Sequence, residues 1–202
     1  MGILTELDVV NEMLGALGEI GLNSLVDAPP LATKGQNILR RINAREQAKG
    51  WWFNREVMNI QPDSNGYITI PDDVLEVDPV NTTLPYLKRG KYLYNPAAIL
   101  DDNDPREFTS PVKLDILRLV PFDDLPIMAQ DYVSLSAQRD FVTDMDGDQI
   151  KIAELNRDRR EAWAVLNAEH TRQVDANLFR SPSVSATLNK LKGPSRTNIR
   201  FR

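Results

Sequence analysis

The stretch EQAKGWWFNREVMNI (Glu46–Ile60) decides how this chain divides. Ahead of it, apolar residues recur at helical spacing; beyond it they begin to alternate. Gly50 stands where a left-handed residue closes a helix. Trp51, Trp52 and Phe53 then follow without a break, in a chain only 7% aromatic. Aromatics this dense form a stacking platform, a ligand wall or a buried seam. A platform for nucleic acid needs basic residues interleaved with the rings, and here Asn54 and Glu56 dilute Lys49 and Arg55. If residues 51–53 open a strand, Trp51 and Phe53 face one way and Trp52 the other, so both faces need cover. Burying one such ring contributes roughly 1.5–3 kcal/mol. The favoured reading is a structural hinge core of Trp51, Trp52 and Phe53 joining helices to a sheet.

Upstream, Leu4, Leu7, Val10, Met13, Leu14 and Leu17 share one face of a helix over 4–18, with Thr5 as its cap and Gly18 and Gly21 ending it. Pro29 and Pro30 place a loop over 20–31. A second helix is expected from about Thr33 to Lys49, with Ile38, Leu39 and Ile42 buried. Downstream, Asn65-Gly66 is a strong hairpin turn returning Tyr67–Ile70 as a strand, and Arg89-Gly90 tips a second hairpin. In Val112–Val120, Val112, Leu114 and Ile116 share one face and Leu117 and Leu119 the other, which predicts a strand covered on both sides. Asp123 or Asp124 caps a third helix with Pro126 in its first turn. A fourth runs from near Asp148 to Phe179, with Ile152, Leu155, Ala162, Leu166, Val174 and Leu178 as its buried stripe. The expected fold class is α+β, a helical bundle built by both ends of the chain around an inserted antiparallel sheet. Its divisions are 1–50, N-terminal helices; 51–121, β insertion; 122–180, C-terminal helices; and 181–202, an extended basic arm.

Composition narrows the function. The 202 residues hold no cysteine and a single histidine, His170. Disulfides and thiolate chemistry are excluded, and zinc of the usual kind is not expected. His170 reads as a solvated mid-helix residue. The N-terminus has no basic region ahead of an apolar run, so neither a signal peptide nor a membrane span is expected. MGILTE fits the myristoylation pattern only loosely, with Glu6 where Ser or Thr is preferred. Net charge is −5, unevenly spread. Arg180, Lys190, Lys192, Arg196, Arg200 and Arg202 are basic with no acid among them, while the body before them is strongly acidic. The arm also keeps Val184, Leu188, Leu191, Ile199 and Phe201, a mixture that suits docking on an acidic neighbour better than solvation alone. The six basic residues are therefore the candidate interface.

Catalytic motifs are sparse. DMDGD (Asp144–Asp148) suggests a calcium loop, but with Gly147 in the glycine position Val142 and Ala153 fall on ligand positions, so it reads as an interhelical turn. Carboxylates cluster at Asp72-Asp73, at Asp101-Asp102 with Asp104, and at Asp123-Asp124, each beside proline or a helix start where Asp is common for turn and cap reasons. There is no G-x-S-x-G, P-loop or G-x-G-x-x-G. The Asn81-Thr82-Thr83 sequon carries no meaning without secretion. No catalytic residue, cofactor or metal is expected.

Five stretches in order carry a resemblance: VVNEMLGALGE with LATKGQNILRRIN; KGWWFN; KRGKYLYNP; LDILRLVPFDDLP; and YVSLSAQRDFV with ELNRDRREAWAVLNAE. Together they resemble the tail tubular protein A family, the adaptor or gatekeeper rings of short-tailed autographivirus-type phages. The resemblance covers the chain to about Phe179. It implies a non-enzymatic virion protein of the phage tail, made in the host cytoplasm. Such a protein forms a twelve-membered ring with copies of itself and joins the portal to the nozzle (tail tubular protein B-like) protein, with the tail fibre as a further contact. DNA passes through its channel without sequence-specific binding. An alternative from the same family is a polysaccharide-degrading, glycoside hydrolase-like tail component, which needs two carboxyls across a sugar. A DNA-binding module using the arm is a third reading, and it predicts steep salt dependence.

Overall fold

The computed structural model describes residues 4–80 and 85–180. Helices α1 (Glu6–Ala16) and α2 (Pro30–Gln47) come first, then strands β1 (Arg55–Ile60), β2 (Val74–Pro79), β3 (Leu87–Arg89), β4 (Tyr92–Tyr94) and β5 (Val112–Arg118), then helices α3 (Ile127–Met145) and α4 (Gln149–Arg180). The architecture is α+β, as the sequence predicts. The sequon at 81–83 and the arm residues Lys190, Lys192, Arg196, Arg200 and Arg202 lie outside the described residues. Of Leu178 and Arg180 only the helical backbone is described.

The N-terminus of α1 is held twice. Thr5 and Asp8 form a reciprocal capping box, with Asp8 N–H donating to Thr5 Oγ1 at 3.2 Å and Thr5 N–H to Asp8 Oδ2 at 3.0 Å. The next free donor, Glu6 N–H, reaches Asp123 Oδ1 at 2.9 Å. Asp123 therefore caps α1 across the fold and not α3, whose N-cap position is Pro126 with no side-chain hydrogen bond. Helix α2 begins three residues earlier than the prolines suggest, because Pro30 occupies a first-turn position that needs no N–H. Past its end, Gly50 adopts φ 78°, as its place after the helix predicts.

Two large apolar cores form, one per layer, and Val10, Leu14 and Ala32 make a small third cluster between α1 and α2. The helical core joins Val9 and Met13 of α1, Ile38, Leu39 and Ile42 of α2, Tyr132, Val133 and Phe141 of α3, and Ala162 and Leu166 of α4. The sheet core joins Ile68, Ile70, Val74, Val77, Leu93, Phe108, Leu114 and Ile116. The main sheet has strand order β1-β5-β2, all antiparallel, so β5 is central. Its Leu114, Ile116 and Leu117 are all buried. β3 and β4 form the second hairpin, turning at Gly90 with φ 63°.

Three expectations need correction here. Trp51–Asn54 is a turn, and β1 begins only at Arg55, so the aromatics do not alternate across a strand. The Asn65-Gly66 turn forms, with Gly66 at φ 82°, but it does not join two paired strands. β1 pairs with β5, Arg55 opposite Leu117, while Tyr67 and Thr69 make only isolated bridges to Glu107 and Tyr92. The buried stripe of α4 is also shorter than its spacing predicts: Ala162 and Leu166 are buried, whereas Val174 is exposed.

Candidate interaction surface

The aromatic run packs into the helical core. Trp51 is buried there, and Trp52 and Phe53 lie half-buried against it. Trp51 Nε1–H donates to the Glu46 carbonyl at 2.9 Å, which ties the ring to the last turn of α2. His170 of α4 meets Trp51 edge to face, with ring centroids 5.3 Å apart, and lies 6.1 Å from Trp52. The solvated histidine of the sequence reading is thus an aromatic-cluster residue, and its buried Nδ1 makes no hydrogen bond among the described residues.

The link from helices to sheet is polar. Gln47 is 1% exposed. Its Oε1 accepts from Val120 N–H at 2.8 Å, and its Nε2 donates to Val120 O and to Asn43 Oδ1, each at 2.8 Å. Asn54, fully buried, accepts from Trp51 N–H and donates to the Gln47 carbonyl, both at 2.9 Å. The Asn54 carbonyl in turn accepts from Arg118 N–H of β5 at 2.8 Å. A continuous chain of hydrogen bonds therefore runs from α2 through the turn to both ends of the β5 exit.

The carboxylates singled out in the sequence serve local structure. Asp73 pairs with Arg118, which also meets Glu56 at 3.1 Å. Asp102 closes a 3-10 turn in the left-handed region, and Asp104 accepts from Arg106 N–H at 2.9 Å. Asp148 Oδ1 accepts from Ile150 N–H at 2.9 Å, and Gly147 turns the chain at φ 68°, so DMDGD is the interhelical turn its register predicts. No His, Cys, Asp and Glu group among the described residues is arranged to hold a metal. Among those residues no helix is long and apolar enough to cross a membrane.

A different acidic site emerges where three helices meet. A groove of about 790 Å³ is lined by Glu12 of α1, by Ile127, Met128, Gln130, Asp131, Ser134 and Gln138 of α3, and by Asp158, Glu161 and Val165 of α4. On α3 these positions recur every three or four residues, and on α4 likewise, so each helix presents one stripe. Ile127 and Val165 are both more than half exposed. Gln138 bridges two helices, donating to Glu12 Oε2 at 2.6 Å and to Ser134 Oγ at 2.9 Å. Burial pushes the Glu12 carboxyl up from its ordinary value, and the charges of Asp8 and Asp131 add to this. Burial likewise raises Asp131, helped by Asp158. Among the described residues Glu12, Asp131 and Glu161 form no ion pair within 4 Å, while Arg157 meets Asp158 at 3.0 Å and also feels the charge of Glu161. Gln130 is 1% exposed, with Nε2 committed to the Phe122 and Asp123 carbonyls at 3.1 and 3.2 Å. Its Oε1 accepts nothing among the described residues. The groove thus combines exposed apolar side chains, an excess of negative charge and an unused acceptor.

None of the four groove carboxylates belongs to a sequence cluster. They sit on three helices, each looking like an ordinary solvated position, and only packing brings them together. The one local signal was an apolar residue, such as Val165, off the buried stripe of its helix.

Known proteins fix the family. A family model described as tail tubular protein matches residues 7–176. Tail tubular protein A of Klebsiella phage KP34 is 30% identical over 146 residues, which is 72% of this chain and 76% of that protein. The chain belongs to the tail tubular protein family, the structural components of bacteriophage tails.

Proposed function

We propose that the protein is an adaptor, forming a ring of twelve copies between the portal and the nozzle protein of a short-tailed phage. DNA leaves through its channel without sequence-specific binding. The family match across residues 7–176 carries the reading. Physical features of the chain support it. A closed ring needs one surface of a subunit to fit a different surface of the next. This chain carries unlike surfaces: an acidic, part-apolar groove in the helical body and a basic, part-apolar sequence at 180–202. An acidic wall also suits a conduit, because each basic contact to a phosphate adds affinity that would slow passage. The helices build the ring, and the β layer reaches toward the nozzle and the fibre attachment region.

Electron microscopy of the protein mixed with its own portal tests the proposal. A ring of density on the tail-facing end of the portal is expected, able to accept nozzle protein. Portals that stay bare at concentrations where both proteins are folded would remove the adaptor role.

A further inference from the structure

The geometry points to the groove between α1, α3 and α4 as the receptor for residues 181–202 of a second copy of this chain. In that contact Leu188 and Leu191 lie on Ile127, Met128 and Val165, and Lys190 and Lys192 lie among the four groove carboxylates. This deepens the ring reading and rests on the self-association within it.

Three observations carry it. The groove leaves Ile127 and Val165 more than half exposed on adjacent helices, side by side in one concavity. Glu12 and Asp131 form no ion pair among the described residues, while Arg157 pairs with Asp158 and also feels the charge of Glu161. Partial desolvation without a counter-charge disfavours the ionised forms of Glu12 and Asp131, and an incoming lysine would favour them. The raised values of Glu12 and Asp131 have the sign such an unfilled site requires. Finally, the stranded Gln130 Oε1 offers an acceptor to a backbone N–H or an ammonium group.

The occupant follows from composition and direction. Thr187–Lys192 (TLNKLK) places two leucines and two lysines within six residues, and no acid occurs anywhere from 180 to 202. That is the complement of the groove in both charge and apolar character. A second copy is the source because a closed ring sets one surface of a subunit against a different surface of the next. From Val165, beside the groove, α4 continues to Arg180, carrying the start of the arm roughly 22 Å further along the axis at about 1.5 Å per residue.

The test uses full-length protein assembled on its portal. Chains carrying Val165→p-benzoylphenylalanine are mixed with isotopically heavy chains and photo-crosslinked. Light–heavy products joining position 165 to residues 181–202 are expected. The double change Asp131→Lys with Glu161→Lys should lower their yield about tenfold, equivalent to about 1.4 kcal/mol. Combining those chains with partners carrying Lys190→Glu and Lys192→Glu should restore the yield, and that rescue excludes simple misfolding. Crosslinks confined to single chains, crosslinks landing on the portal, or a yield indifferent to charge reversal would each overturn the docking. If rings form on the portal without the crosslink, only the docking fails. If no ring forms, the adaptor reading fails with it.

Discussion

Replacing Gln47 tests how the two layers are joined. Gln47→Met keeps the length and flexibility of the side chain, so packing changes little. It removes three hydrogen bonds: two to the backbone of Val120 and one to Asn43, each at 2.8 Å. The Val120 carbonyl keeps a weaker donor in Asn43 Nδ2 at 3.2 Å, but its N–H and the Asn43 carbonyl oxygen are left without partners. At about 1 kcal/mol per bond, the loss is about 3 kcal/mol. For a chain of this size each kcal/mol moves the unfolding midpoint by roughly 2–4 °C, which gives a fall of about 6–12 °C. Thermal melting followed by circular dichroism reads it directly. The companion change Gln47→Glu retains the acceptor for Val120 N–H but loses both donations and buries a carboxylate. Its folded-state pKa must rise, so its deficit should shrink as pH falls and the acid regains a proton to donate. A drop below 2 °C for Gln47→Met would mean that water replaces these bonds and that the seam does not couple the layers.

Four further outcomes are expected. Trp51→Ala removes a buried ring that touches α2 and His170, and should cost about 3–5 kcal/mol, read as a lower denaturant midpoint. Gly66→Ala meets both a positive φ and Glu107 Cγ at 2.8 Å, whereas Gly90→Ala meets only a positive φ with open space around it; the first should destabilise by about 1 kcal/mol or more beyond the second. For Asp131 the raised folded pKa means that the stabilising contribution of its neutral form is fully present below the ordinary value of 3.8 and lost as pH rises through the folded value. Asp131→Asn should therefore melt higher than the parent at pH 7, and the two curves should converge in acid. Protein freed of host hydrolases should release no reducing sugar from capsular glycans; release abolished by Glu12→Gln or Asp131→Asn would instead restore the glycan-degrading reading and place it in the groove.

The helices and the β5 strand were legible because their signals are local. Leu114, Ile116 and Leu117 crowd both faces of one short run, and Thr5 begins a helix with Asp8 already at the answering position. β2 was not legible, and the reason is physical. Its register shifts between Val74 and Glu76 as it pairs with β5, so the two buried valines, Val74 and Val77, fall three apart and the period of two is lost. The true partner of β1 is more than fifty residues away, behind a turn with every mark of a hairpin. Asp123 misled for a similar reason: its side chain sits at the right distance from one helix and serves another. The groove was hidden more deeply, since Glu12, Asp131, Asp158 and Glu161 acquire meaning only when three helices converge.

The separation of the two cores bears on how such a subunit can work in an assembly. Were the subunit to act in the proposed ring, its helical wall and its β layer would have to keep a fixed angle. An apolar interface between layers tolerates small rotations, because dispersion and area change little as side chains slide. Hydrogen bonds of 2.8–2.9 Å do not, since they weaken steeply with misalignment. Here the apolar mass stays within each layer, and the join is made by Gln47 and Asn54 through donors and acceptors on fixed backbone. The aromatic run stiffens the same place from the helical side by clamping the turn to α2 and α4. Weakening the polar seam should therefore alter the angle between layers before it dissolves either core. If the proposed ring forms, a Gln47→Met subunit that still folds should give rings whose β-layer density is blurred while the helical wall stays sharp. Equal blurring of both, or of neither, would show that neighbouring copies and not this seam hold the angle.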